Sequence, residues 1–277
     1  MGIAKQIALL VSLLAVSVVS RREDPRSVCG NVVSREEFAA AEAHFNANRR
    51  VLSKRAGPIE ISTVVHIVSN GTAGNVSDEL INTQFDLLND AFNTTDVQFT
   101  LTSVTRTDNF DWFKGVYMGS DAEAGMTAAL HTGGVETLNI YFADLGGLTG
   151  YSQFPWSYTS QPTLDGVFLN YRTLPYGDPD MEGWNEGAML PHEAGHWVGL
   201  YHTFENACSA EGDAVDDTPA EGGAAYFCPE NRDTCSSDPG VDPIHNFMDY
   251  TDDYCRYEFT AGQGARMADI LATYRGF

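Results

Sequence analysis

Basic residues are scarce: 16 lysines and arginines stand against 38 aspartates and glutamates, a formal net charge of −22 over 277 residues. A chain this acidic repels nucleic acid and anionic membrane surfaces, which excludes both as partners. Long apolar runs are missing too. Only Ile7 to Val19 is nearly continuous, too short to span a bilayer comfortably, and no later stretch could cross one. With Lys5 ahead of that run and the small residues Ala15 and Ser17 in it, residues 1–20 read as a secretory signal rather than an anchor. Repeats are absent. The 43% hydrophobic content supports one sizeable domain or a compact pair of lobes, and argues against disorder.

Cysteines number five. Secretion permits disulfides. Cys208, Cys228, Cys235 and Cys255 cluster late in the chain and Cys29 stands apart, which suggests two bridges and one odd thiol, with three pairings of the four left open. The bases are unevenly spread. The first 55 residues hold 9 of the 16 bases and 5 of the 38 acids, leaving 7 against 33 for the rest. This basic, polar, helix-prone segment ends in Lys54-Arg55 and reads as a propeptide over residues 21–55 with a dibasic processing site; an arm that stays attached is the alternative. The mature chain would be residues 56–277.

Alternating β-branched runs predict strands over Glu60 to Val68, Val97 to Val104, Leu138 to Phe142 and Val167 to Tyr171. Helical periodicity predicts helices from Ser77 or Asp78 to about Asn93, and from about Ala122 to Leu130. A Gly-, Ser- and Pro-rich loop lies around Gly146 to Gln161. The order indicates an α+β lobe over residues 56–202 with a twisted, mixed but mostly parallel sheet. Residues 203–277 are rich in Gly, Asp, Pro and Cys, and read as an irregular, disulfide-stapled lobe with one final helix near Gln263 to Tyr274. Asn70, Asn75 and Asn93 each open an Asn-x-Ser/Thr sequon, so they are expected to be exposed and open to glycosylation.

The densest signal is HEAGHWVGLYH, residues 192–202. His192 and His196 are four apart, so both imidazoles leave one face of a helix and can share one Zn²⁺. Glu193 projects beside the metal, placed to act on a bound water rather than to ligate. Gly199 comes where the helix must end, and glycine tolerates the left-handed turn that brings His202 back as third ligand. Three protein ligands leave a fourth position open, the catalytic arrangement; a structural site would be closed and would not need Glu193. Pro191, just before His192, is tolerated only in a first helical turn, so the helix must start close to residues 187–190 or kink.

This motif is followed by GDAVDDTP (residues 212–219) and DPIHNFMDYTDDYC (residues 242–255). Together the three resemble the metzincin clan of metallopeptidases, and more closely its pappalysin type, which includes fungal extracellular metalloproteases. The likeness is strong over about residues 190–267. It implies a metzincin-like fold with zinc in the cleft between the lobes, His192, His196 and His202 as ligands, and Glu193 as general base and acid. It implies Met248 as the hydrophobic floor beneath the metal and Tyr250 as a donor to the oxyanion. It implies pairing of Cys208 with Cys235 and Cys228 with Cys255, calcium as a second ion with Asp213, Asp216 and Asp217 as candidate ligands, and a zymogen switch in which Cys29 takes the open zinc position.

The expected activity is hydrolysis of peptide bonds in extracellular proteins by a secreted monomeric zinc endopeptidase. Its substrate would be laid along an edge strand, expected at Leu138 to Phe142. Asp252 and Asp253, close after the methionine turn, would favour a basic residue past the scissile bond. A zinc-bearing binding protein without activity and a narrow-specificity processing protease are the alternatives; intact Glu193 argues against the first.

Overall fold

The computed structural model of the chain describes residues 28–50 and 57–277. The signal at residues 1–20 and the dibasic Lys54-Arg55 lie outside the described residues. Five strands form one sheet: β1 (Ile59–Ser69), β2 (Val97–Asp108), β3 (Thr137–Ala143), β4 (Gly150–Ser152) and β5 (Val167–Asn170). Their order is β2-β1-β3-β5-β4. All neighbours run parallel except β4, which pairs antiparallel with β5. Six α-helices accompany them among the described residues: α1 (Arg35–Asn48), α2 (Asp78–Ala91), α3 (Phe110–Gly115), α4 (Asp121–Leu130), α5 (Met189–Trp197) and α6 (Ala261–Ile270), the last continuing as a wider turn over Leu271–Arg275. The α+β, mostly parallel architecture and each expected element are present. No helix among the described residues is long and apolar enough to cross a membrane.

Two-residue alternation divides the sheet between two cores. Phe142 and Leu169 face α2 and α5, in a core with Ile81, Phe85, Leu88, Ala194 and Trp197. Their neighbours Tyr141, Ala143 and Phe168 face the other way, onto Phe113, Val116 and Met126 of α3, its C-terminal flank and α4. With both faces covered, every residue of β3 is buried, as continuous apolar strands in parallel sheets generally are.

The edge expected at Leu138 to Phe142 is not there. β3 sits between β1 and β5, and the edge near the histidines is β4, inside the segment that reads as a loop. Three residues are too few for a periodic pattern to register. Residues 203–277 are largely irregular, with both expected disulfides formed, Cys208–Cys235 and Cys228–Cys255. Asn70, Asn75 and Asn93 are exposed.

Candidate metal centre and active site

The zinc-motif helix α5 is short, and Pro191 explains how it starts. Its N-cap is Ala188, so the proline falls in the first turn, and the first helical bond runs from His192 N to Ala188 O at 3.2 Å. Alanine offers no capping side chain. Asp253, from after the methionine turn, supplies one: its Oδ2 accepts from Glu186 N at 2.9 Å and Ala188 N at 3.3 Å. Its Oδ1 accepts from Arg256 Nη2 at 2.6 Å, and both side chains are buried. Burial raises the Asp253 pKa, and Arg256 opposes that. Asp253 is therefore an anchor for α5, its carboxylate already engaged by Arg256 and the backbone of Glu186 and Ala188.

At the other end of α5, Gly199 has φ of +99°. Gly199 N donates to His196 O and Leu200 N to Gly195 O, closing the helix as the chain reverses. A Cβ at Gly199 would also lie 2.6 Å from Ile270 Cγ2, so packing as well as φ requires glycine. The reversal returns His202 to the helix.

There the side chains converge. His196 Nε2 and His202 Nε2 are 3.1 Å apart. The donor atoms of His192, His196, His202 and Cys29 all lie within 4.8 Å of one another, and all four residues are buried. Cys29 Sγ is 3.6 Å from His196 Nε2 and 3.6 Å from Glu193 Oε2. His192 Nδ1 lies 2.7 Å from Phe247 O and His196 Nδ1 2.8 Å from Leu200 O. Each Nδ1 thus donates to a carbonyl, leaving Nε2 as an unprotonated lone pair. Burial holds all three imidazoles neutral, His196 at a pKa of about 4 and the other two well below the ordinary range. Nε2 of His192 is buried without a partner.

Three converging imidazole nitrogens, at least two of them with lone pairs facing inward, form a donor set suited to a cation. A tetrahedral ion bonded at about 2.0–2.1 Å to nitrogen and about 2.3 Å to sulfur sets its donors about 3.3–3.6 Å apart. The nitrogen–nitrogen and nitrogen–sulfur separations here are close to that, and the residues fit zinc.

Around this centre Glu193 is fully buried with Oε1 unpartnered, and burial pushes its pKa up to about 8. Gly150 of β4 makes room for it: a Cβ there would stand 2.8 Å from Glu193 Oε1. A glycine inside a strand often marks such a close approach, which is the only trace of this role in the sequence. Met248 is fully buried under α5, where a Cβ on Gly195 would collide with its sulfur. The Tyr250 ring centroid lies 4.8 Å from that of His202 and 5.8 Å from that of His192. Tyr250 Oη is 3.5 Å from Cys29 O, and burial raises its pKa well above the tyrosine norm.

Cys29 reaches the centre from 163 residues or more away in the chain because its segment adds itself to the sheet. Cys29 bridges Gly150 in parallel. Thr149 N donates to Val28 O at 3.1 Å and Gly30 N to Gly150 O at 2.9 Å. The Asn31 amide exchanges two bonds with the backbone of Ser152. Helix α1, opened by a Ser34–Glu37 capping box, then docks on α6 through Glu42–Arg266 at 2.6 Å and Arg49–Asp269 at 2.5 Å. Burial first, and then Glu193, push the Cys29 thiol pKa up.

The three acids expected to hold calcium line one hollow of about 370 Å³. They do not converge as the histidines do. Among the described residues, the only other group of potential ligands within such reach contains the two bridged cysteines Cys228 and Cys255. Asp217 accepts from Thr260 Oγ1 at 2.7 Å and Gly262 N at 2.8 Å, at the start of α6. Asp213 is buried, which lifts its pKa to about 7.

A mostly parallel sheet with an antiparallel edge, a three-histidine helix-and-turn, an adjacent buried glutamate and a methionine floor define a metallopeptidase of the metzincin class. The family profile described as "Pregnancy-associated plasma protein-A", a peptidase family, matches residues 133–272. An "Extracellular metalloprotease" of Pyricularia oryzae is 40% identical over 96% of each chain. One of Arthroderma benhamiae is 37% identical over 96% of this chain and 97% of its own. Among solved structures, a promirolysin mutant of Tannerella forsythia superposes with a TM-score of 0.74 at 26% identity, covering 90% of this chain and 95% of that one. Mature mirolysin with a cleaved peptide gives 0.65 at 28% identity over 80% and 97%. The chain belongs to the pregnancy-associated plasma protein-A family of metallopeptidases.

Proposed function

We propose that this metallopeptidase is a secreted, zinc-dependent endopeptidase made as a latent precursor, with zinc held by His192, His196 and His202. The observation that carries the reading is the convergence of three neutral, buried imidazoles beside the buried Glu193, whose Oε1 has no partner. Bound zinc supplies Lewis acidity to a water and to the scissile carbonyl. Glu193 accepts the water's proton and delivers it to the leaving amine. Tyr250, with its hydroxyl kept protonated by burial, donates to the developing oxyanion. Once residues 28–31 leave it, the edge of β4 takes substrate backbone as an added strand. The test is metal analysis and casein digestion of the secreted protein. We expect close to one zinc per chain, hydrolysis abolished by a chelator and restored by zinc; digestion indifferent to chelation would sink the reading.

Latency is assigned to Cys29. Its thiolate would complete the ligand set while residues 28–31 occupy the edge of β4 that a substrate needs. The Cys29→Ser variant of the full chain should digest casein without N-terminal processing, where the parent chain does so only after it. Equal activity of the two unprocessed proteins would refute the switch. Arg49–Asp269, with Arg49 half-exposed, and the more buried Glu42–Arg266 pair hold the segment in place; salt weakens the first more than the second.

A further inference from the structure

Helix α1 covers a face of the molecule that starts at the metal centre. Phe154, just past β4, meets the His196 ring edge-on at 5.3 Å and stacks on Trp156 at 4.6 Å. Trp156 in turn lies 5.5 Å from the Tyr201 ring and 6.3 Å from that of Tyr274. These rings form one band leading away from the histidines. On it α1 lays Phe38 against Tyr201 at 4.7 Å and Phe45 against Tyr274 at 6.4 Å. The two phenylalanines are seven residues apart and so leave one face of the helix.

Arg266 of α6 belongs to the same band. Its guanidinium lies over the Tyr201 ring at 5.1 Å, and its Nε donates to Gly199 O at 2.9 Å. The side chain is 6% exposed, and its one ion pair among the described residues is with Glu42 of α1, made through both Nη groups at 3.2 Å and 2.6 Å. When α1 leaves, Tyr201 and Gly199 O keep the guanidinium in place while its carboxylate goes. A cation set among rings without its partner is costly until another anion replaces it. The fit of α1 is also incomplete. A hollow of about 450 Å³ remains beside it, with Ala40 and Ala41 on one side and Met118, Phe154 and Trp156 on the other.

We propose that this face, once α1 is released, is an exosite that docks an amphipathic helix of a protein substrate, one carrying two aromatic residues seven apart and a carboxylate between them. The aromatics take the places of Phe38 and Phe45. The carboxylate takes that of Glu42, as a two-pronged bond to Arg266. Only Val32 and Val33 separate Asn31, bonded to Ser152 of β4, from Ser34, the N-cap of α1. A strand on the edge of β4 and a helix on this face can therefore belong to one substrate. The proposal rests on the endopeptidase and precursor readings, because the face is free only after residues 21–55 depart.

The full chain is expressed and processed, and a short peptide taken from one of its casein cleavage sites is compared alone and joined, at either end and through a flexible linker, to residues 34–50. Those residues lack Cys29 and do not reach the metal centre. Attachment at one end should raise kcat/KM about tenfold or more, because the docked helix raises the local concentration of the scissile segment. The gain should vanish when the attached helix carries Phe38→Ala, Glu42→Ala and Phe45→Ala. Free residues 34–50 should remove the gain and leave cleavage of the bare peptide unslowed. The ratio of joined to bare peptide, taken within each enzyme, should fall to near one in Trp156→Ala and in Tyr274→Ala. No gain at either end, a gain kept by the substituted helix or by both enzyme variants, or free residues 34–50 slowing both peptides equally would each overturn the exosite. So would residues 34–50 remaining with the processed protein through purification, since the face would then never be free. If the processed protein cleaves nothing, the endopeptidase reading fails by itself. Labelled residues 34–50, parent and substituted, are then titrated against it, where equal Kd values overturn the exosite and a tighter parent helix upholds it.

Discussion

Glu193→Gln should abolish proteolysis while leaving the fold and the metal in place. General acid–base groups contribute about 10²- to 10⁴-fold to such reactions, so casein hydrolysis should fall by that factor while zinc content stays that of the parent. The substitution preserves shape in a cavity where shape is constrained: a Cβ at Gly150 would already crowd Glu193 Oε1 and Cγ. It removes the one property the mechanism uses, a carboxylate that takes a proton and returns it. Glu193 Oε1 has no protein partner, and the contact of Oε2 with Cys29 Sγ can be kept by the amide. Activity within tenfold of the parent would sink the assigned role. Loss of zinc on substitution would instead make Glu193 a ligand, a different site from the one described.

A large loss of stability is expected at Asp253→Ala or Arg256→Leu. Removing one member of a buried ion pair leaves the other charged and unpaired, which costs about 3–5 kcal/mol. For a domain of this size about 2–4 °C of melting temperature accompanies each kcal/mol, so the midpoint should drop by roughly 6–20 °C. Asp253 also accepts the two backbone N–H groups at the start of α5, and Arg256 lies 5.3 Å from the centroid of the Trp184 ring. The helix that loses this anchor carries His192 in its first full turn, so metal affinity should weaken with stability. A thermal melt followed by circular dichroism checks the first effect and zinc competition the second. A midpoint within 2 °C of the parent would show that the pair does not hold α5.

The zinc motif was legible in the sequence because its geometry is local. Four-residue spacing on a helix, a glycine turn and a third histidine need no distant contact to make sense, and Pro191 itself marked where the helix begins. The strands were legible for a related reason: runs of β-branched residues state their conformation wherever they pair. The two disulfides were not derivable from spacing, and their pairing came with the family likeness.

What the tertiary structure alone decided was pairing between distant segments. A three-residue strand has no period to detect, so β4 was invisible, and with it the identity of the edge. Cys29 reaches the histidines only because residues 28–31 pair with that edge, and pairing energy depends on which strand is left open. The acids after the methionine turn look alike in sequence, yet Asp253 is consumed by Arg256 and the start of α5. A carboxylate's role is set by what surrounds it in space, because burial and the nearest cation decide whether its charge is already answered.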